Sequence, residues 1–292
     1  MNNKENSAKA NIHWYPGHMA KATREIEDRV KLVDLIIELR DARAPISTAN
    51  PLISAIKNKP HLIILTKADL ADDQVTQGWL KALQTNNQKA IALNLTQFNA
   101  YQQIVNISKD LLKEKMEKER ARGLKPRPVR AMVVGIPNVG KSTLINRLAK
   151  RKAAITGDRP GVTKSQQIIK VAADFELFDT PGILWPKFED RDVAMHIALV
   201  GSIKSTILPH DEIYIYAMTY LSQYYPGLLK ERYQLSIDLE NENWVEESFV
   251  HLANLRHFPK VRGELDYDRV MDLVFNDILK GQLGKVSWQQ NG

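Results

Sequence analysis

Cysteine is absent from all 292 residues, which excludes disulfides and thiolate metal sites and suits a reducing compartment. No apolar run approaches the length needed to cross a bilayer, and the opening MNNKENSAKANIHW lacks the apolar stretch of a secretory signal. Internal repeats are missing too, as is any low-complexity tract beyond one basic segment. These absences lead to the expectation of a folded, soluble, cytoplasmic protein with neither a membrane partner nor a disulfide partner. What is present supports it: 43% of the residues are hydrophobic, enough for a sizeable core, and the length suggests about two domains.

The charge is unevenly spread. The chain carries a net +7, yet residues 201–292 hold −4, so the first 200 hold +11. The densest run, KDLLKEKMEKERARGLKPRPVR at 109–130, has nine basic residues against four acidic ones. It is either a solvated helix face or a contact for a polyanion such as nucleic acid. In the acidic tail, Arg256, His257, Lys260 and Arg262 are the one compact basic group, open to the same two readings.

Short apolar runs alternate with amphipathic stretches through the first 180 residues. Buried strands are expected at 33–39, 61–66, 90–95 and 130–135, with a pair at 166–171 and 174–179. Helical spacing marks Met19, Ala22, Ile26 and Val30, then Val75, Trp79 and Leu83, then Ile104, Ile107 and Leu111. This alternation argues for an α/β domain with a mostly parallel sheet and helices on both faces, at 1–185. From 186 to 292 helical periodicity dominates, as in Val270, Leu273, Val274 and Ile278 before Gly281, so a small all-helical domain is expected.

The strand RAMVV runs into GIPNVGKST and then a helix, the context a phosphate-binding loop requires. Asn138, Val139, Gly140, Lys141, Ser142 and Thr143 are its candidate nucleotide contacts. Glycines let backbone N–H groups curl around a phosphate, Lys141 reaches its β and γ positions, and the Ser142 hydroxyl is placed for Mg²⁺. Downstream, FELFDTPGI delivers Asp179 as a Mg²⁺ carboxylate and Gly182 as an N–H donor to a γ-phosphate. Between them lies Thr163 of GVT, either a second Mg²⁺ hydroxyl or part of a plain Pro-Gly turn.

Upstream of that loop the strand HLIIL ends in Thr66, Lys67, Ala68 and Asp69, similar to the NKxD motif that reads guanine. A carboxylate accepts from both guanine N1–H and the 2-amino group, whereas adenine offers neither donor, so Asp69 selects GTP and GDP over ATP. Thr66 stands in place of the usual Asn, and the tetrapeptide read alone is also a plausible helix cap. After the next strand, ALNLT offers Asn94 for a base contact or as a strand-end residue held within its own loop.

The motif order, TKAD, ALNLT, GIPNVGKST, GVT and DTPG, inverts that of ordinary small GTPases. Together with WYPGHMAKA (14–22), DARAP (41–45) and DTPGILWPKFED (179–190), it resembles the circularly permuted GTPases of the ribosome biogenesis GTPase A family over most of the chain. The resemblance implies a circularly permuted P-loop GTPase domain, hydrolysis of GTP with Mg²⁺, and late maturation of the large ribosomal subunit with contacts to its rRNA. Ile183 occupies the position where many GTPases carry a water-orienting Gln, and the resemblance implies His18 of the PGH motif in that role. An RNA or structural contact is the other reading of His18. Asn138 matches GTPases in which this side chain helps to hold K⁺.

Overall fold

A computed structural model describes residues 24, 28, 30–56, 58–97, 99–125, 127–148, 168–179, 190–203 and 207–291, although not the side chains of Ile168 and Asp179. Six strands, β1 (Leu35–Asp41), β2 (His61–Thr66), β3 (Gln88–Leu93), β4 (Val129–Gly135), β5 (Ile168–Ala172) and β6 (Phe175–Asp179), form one sheet in the order β3-β2-β1-β4-β6-β5. All neighbours are parallel except the β5–β6 hairpin.

The period of two along each strand sorts its side chains into two layers. Leu35, Ile37 and Leu39 of β1, Leu62 and Ile64 of β2, and Ala131 and Val133 of β4 share one apolar cluster. On the opposite face Ile36, Met132, Val134 and Phe178 meet Val30 and Ile53, and Ile63 and Leu65 meet Trp79 and Leu80. Every residue of β1 and of β2 is buried, the signature of central parallel strands covered twice. The first layer is closed by α3 (Ala100–Leu111) and α5 (Lys141–Leu148), and the second by α1 (Pro51–Ser54) and α2 (Asp73–Ala82). The basic segment forms α4 (Lys113–Ala121), which leads to β4.

β1 and β3 each start two residues from where periodicity placed them. β1 begins at Leu35 because Asp34 turns to Lys115 and Arg127 (both 2.6 Å), and it continues to Asp41 in register with Thr66. β3 begins at Gln88, paired with His61, and has ended by Asn94.

From Asp190 on, the elements among the described residues are helices: α6 (Arg191–Leu199), α7 (His210–Tyr224), α8 (Pro226–Tyr233), α9 (Trp244–Leu255) and α10 (Tyr267–Lys280). Asp190 and Asp266 accept from N–H groups in the first turns of α6 and α10, and Gly281 ends α10 at φ 69°, where a side chain would be strained. The apolar cluster of the sheet runs on without a break into Met195, Tyr214, Leu252 and Val274. After α10 the chain crosses back to the first half, where Trp288 is buried.

Candidate nucleotide site

The phosphate loop leaves the sheet from β4, which stands between β1 and β6. A Cβ on Gly135 would lie 2.8 Å from Val139 Cγ2 and 3.0 Å from the Leu39 carbonyl, so the loop folds back tightly on its own strand. Asn138 (φ 60°) and Gly140 (φ 95°) are both left-handed. Gly140 faces Leu95, whose Cδ1 lies 3.0 Å from where a Cβ would sit. Helix α5 starts at Lys141, so the positive end of its dipole lies at the loop, and Thr143 of its first turn lines the cavity beside Gly140. Lys141 is only 7% exposed, a cation drawn into the protein beside that helix end. This cradle fits a chain of phosphates.

Two other strand ends reach the same loop. The Thr66 hydroxyl lies 2.8 Å from the Val139 carbonyl and 3.1 Å from that of Arg40, so it joins the TKAD strand end to the phosphate loop. Lys67 is left-handed (φ 55°), and Ala68 and Asp69 lie on the single 3₁₀ turn Ala68–Leu70, with Asp69 exposed. Asn94 turns inward on its own loop, its side-chain oxygen accepting from Thr96 N (2.9 Å) and Oγ1 (2.6 Å). From this loop it is Leu95 that meets Gly140.

Between these strand ends sits a charge cluster that the motif reading did not foresee. Asp41, fully buried at the end of β1, accepts from Arg43 Nε (2.9 Å) and Nη2 (2.8 Å), and lies 3.0 Å from the Lys67 ammonium. Burial pushes the Asp41 carboxyl up, but the charges and hydrogen bonds of Arg43 and Lys67 outweigh it and hold it well below the usual carboxylate range. Arg43 also donates to the carbonyls of Val200 (3.1 Å) and Ile278 (3.5 Å), and Lys67 Nζ lies 3.4 Å from the Val200 carbonyl. Asn138 Nδ2 donates to the Gly201 carbonyl (2.9 Å). The helical part therefore touches the phosphate loop and the TKAD loop directly. DARAP carried the signal for this cluster, since a D-A-R step at the end of a strand buried along its whole length places two opposite charges where neither reaches water.

A cavity of about 700 Å³ opens between the two parts. Lys67, Asn138, Gly140 and Thr143 form one wall, with Asn276 and Lys280 of α10 opposite. Its volume is within the range of small-molecule sites. Asp179 ends β6 in register with Val133, two residues before Gly135, so the DTPG strand end is delivered beside the phosphate loop. His18, Thr163 and Gly182 lie outside the described residues.

A parallel sheet with its phosphate loop on the fourth strand in chain order, and a guanine-type loop on the second, defines a circularly permuted P-loop GTP-binding fold. A family model described as 50S ribosome-binding GTPase matches residues 130–223. The ribosome biogenesis GTPase A of Bacillus cereus is 46% identical over 279 residues, covering 95% of this chain and 93% of that one. Its counterpart in Priestia megaterium is 48% identical over 94% of each. Among solved structures, GNP-bound YlqF from Thermotoga maritima superposes with a TM-score of 0.63 at 27% identity, covering 92% of this chain and 98% of that one. A GDP-bound form of the same protein matches with a TM-score of 0.60. The chain belongs to the ribosome biogenesis GTPase A family.

Proposed function

We propose that the protein binds and hydrolyses GTP in the cytoplasm, that its target is the precursor of the large ribosomal subunit, and that this particle stimulates turnover. The bond from Thr66 to Val139 carries the reading, because it brings a guanine-type loop and a phosphate loop against one cavity. Residues 1–185 act as the nucleotide unit and 186–292 as the helical unit. Backbone N–H groups of residues 138–143 and the Lys141 ammonium hold the phosphates. Asp69 reads the base, with Thr66, Lys67, Ala68 and Asn94 shaping its surroundings. Ser142, Thr163 and Asp179 would hold Mg²⁺, which when bound neutralises phosphate charge, and the Asn138 oxygen would hold K⁺. Its amide is already oriented by the bond to Gly201. Gly182 donates to the γ-phosphate, and His18 orients the attacking water.

The rRNA contact is assigned first to α4 and the segment after it. Lys113, Lys118, Arg120, Arg122 and Lys125 are exposed there. Lys115 and Arg127 are spent on the buried Asp34 and fix this segment to the starting edge of the sheet, away from the nucleotide loops. A run of solvated cations on a rigid support suits phosphate backbones.

The test is sedimentation with large subunits in GDP and in a nonhydrolysable GTP analogue, alongside competition of labelled GTP by ATP. Binding that depends on the nucleotide and ignores ATP is expected. Charge reversal within 118–130 should weaken it more than reversal at Arg256, Lys260 and Arg262. Effective competition by ATP, or no association with the particle in either nucleotide, overturns the reading.

A further inference from the structure

Asp69 can discriminate between bases only if both carboxylate oxygens are held within a few tenths of an ångström of the two guanine donors. Thr66 and Lys67 anchor the loop ahead of Asp69, through Val139 and Asp41, but the residues after it need an anchor of their own. Asp69 sits on one 3₁₀ turn, its left-handed N-cap Lys67 makes no side-chain capping bond, and the helix that follows starts only at Asp73.

The missing support comes from the segment that follows α10. Val286 N donates to the Leu70 carbonyl (3.0 Å), and Asp72 N donates to Ser287 Oγ (3.2 Å), so consecutive residues of the segment grip the loop on either side of Ala71. Gly281 lies so close to Leu70 that a Cβ there would stand 2.5 Å from Leu70 Cδ2. Further along, the Gln289 side-chain oxygen accepts from Ile46 N (2.8 Å) and Ser47 N (3.0 Å), and its carbonyl accepts from Trp79 Nε1 (3.1 Å). Trp288, buried, donates from its backbone to the Arg43 carbonyl (2.6 Å). The strap is itself held from behind, because Tyr220 donates to the Ser287 carbonyl (2.9 Å) and Ser287 N donates to the Tyr225 hydroxyl (3.1 Å).

We propose that residues 286–289 form a strap that positions the Asp69 loop, with Ser287 and Gln289 as positioning residues for guanine selectivity. The proposal rests on the assignment of Asp69 as the base reader. The strap lies apart from the residues that line the cavity: it grips the backbone at Leu70 and Asp72, one and three residues beyond Asp69, and Tyr220 and Tyr225 fix the strap.

Inosine diphosphate isolates this effect, because hypoxanthine keeps N1–H but lacks the 2-amino group. The ratio of GDP to inosine diphosphate affinity therefore reports how well the Asp69 fork is aligned. The experiment measures both dissociation constants for the full chain and for Ser287→Ala, Gln289→Ala and Asp69→Ala, with thermal melting of each variant. Asp69→Ala should bring the ratio close to one. Ser287→Ala should lower it by about fivefold, the weight of one neutral hydrogen bond, and Gln289→Ala, which loses two accepted bonds, by at least as much, with inosine diphosphate binding much less affected. If both nucleotides weaken equally in the strap variants, or the ratio stays at its wild-type value while Asp69→Ala removes it, the strap proposal is overturned and the base-reading assignment survives. If Asp69→Ala itself keeps the wild-type ratio, that assignment fails and the proposal with it.

Discussion

Asp41→Asn is the most informative single change at the junction of the two parts. The carboxylate is fully buried, and the Arg43 side chain it neutralises is 2% exposed. Asparagine keeps one acceptor oxygen, but its amide nitrogen would face either Arg43 Nε or Nη2, donor against donor. The buried guanidinium would then lack a counter-charge. Removing one partner of a buried pair costs about 3–5 kcal/mol. For a chain of this size that corresponds to a fall in Tm on the order of 10 °C. Asp73→Asn is the control, since its bond to Lys285 joins side chains 75% and 47% exposed and should be worth about 0–1 kcal/mol. Urea unfolding monitored by tryptophan fluorescence would compare the two variants. The pH dependence adds a second check. Because the folded carboxyl titrates below its ordinary value of 3.8, the stability it contributes is present above that value and lost as pH falls through the lower, folded one. The gap between wild type and Asp41→Asn should stay constant from pH 7 to about 4.5 and narrow only in stronger acid. A loss no larger than that of Asp73→Asn would refute the account of the cluster.

His196 should impose a slope at milder pH. It is buried between Ser47 Oγ at Nδ1 and the Tyr216 hydroxyl at Nε2 (both 2.9 Å), and burial lowers it from 6.5 to about 4 against the weaker pull of Asp192 and Asp190. The unfolded chain takes its proton first, so stability should fall by roughly 3 kcal/mol between pH 6.5 and 4. His196→Gln should flatten that slope in urea titrations, and equal slopes would count against the assignment. Gly140→Ala forces a side chain onto φ 95° and into Leu95, so a cost of about 1–3 kcal/mol and loss of labelled-nucleotide binding are expected. Gly123→Ala, at φ 78° in open space, should cost about 1–2 kcal/mol and leave binding intact. Equal nucleotide affinity in the two alanine variants would remove the loop from the site.

What could be read in advance follows from the range of the interactions involved. β2 and β4 stood out because strands buried on both faces must be continuous apolar runs, and GIPNVGKST stood out because its glycines answer to local backbone geometry. The expected strand stopped short of Asp41, whereas β1 runs on to end at it because two cations neutralise it, one of them 26 residues away just past the end of the next strand. No local pattern announces such a pair. Nor did any announce that Thr66 would bond Val139, or that Gly201 would accept from Asn138, since those contacts exist only once the sheet brings strand ends together. Residues 283–291, with neither helical nor alternating spacing, gave no signal at all. Their order comes from what they lie against.

The bond between Asp72 and Ser287 spans 215 residues of chain. Contacts of such separation close late, because the entropy of joining distant segments must be met before any bond rewards it. During synthesis the loop at Asp69 is therefore made well before the residues that brace it. On the strap proposal, a partly made chain that carries every nucleotide motif does not distinguish guanine fully, and its selectivity matures only once residues 286–289 have joined it.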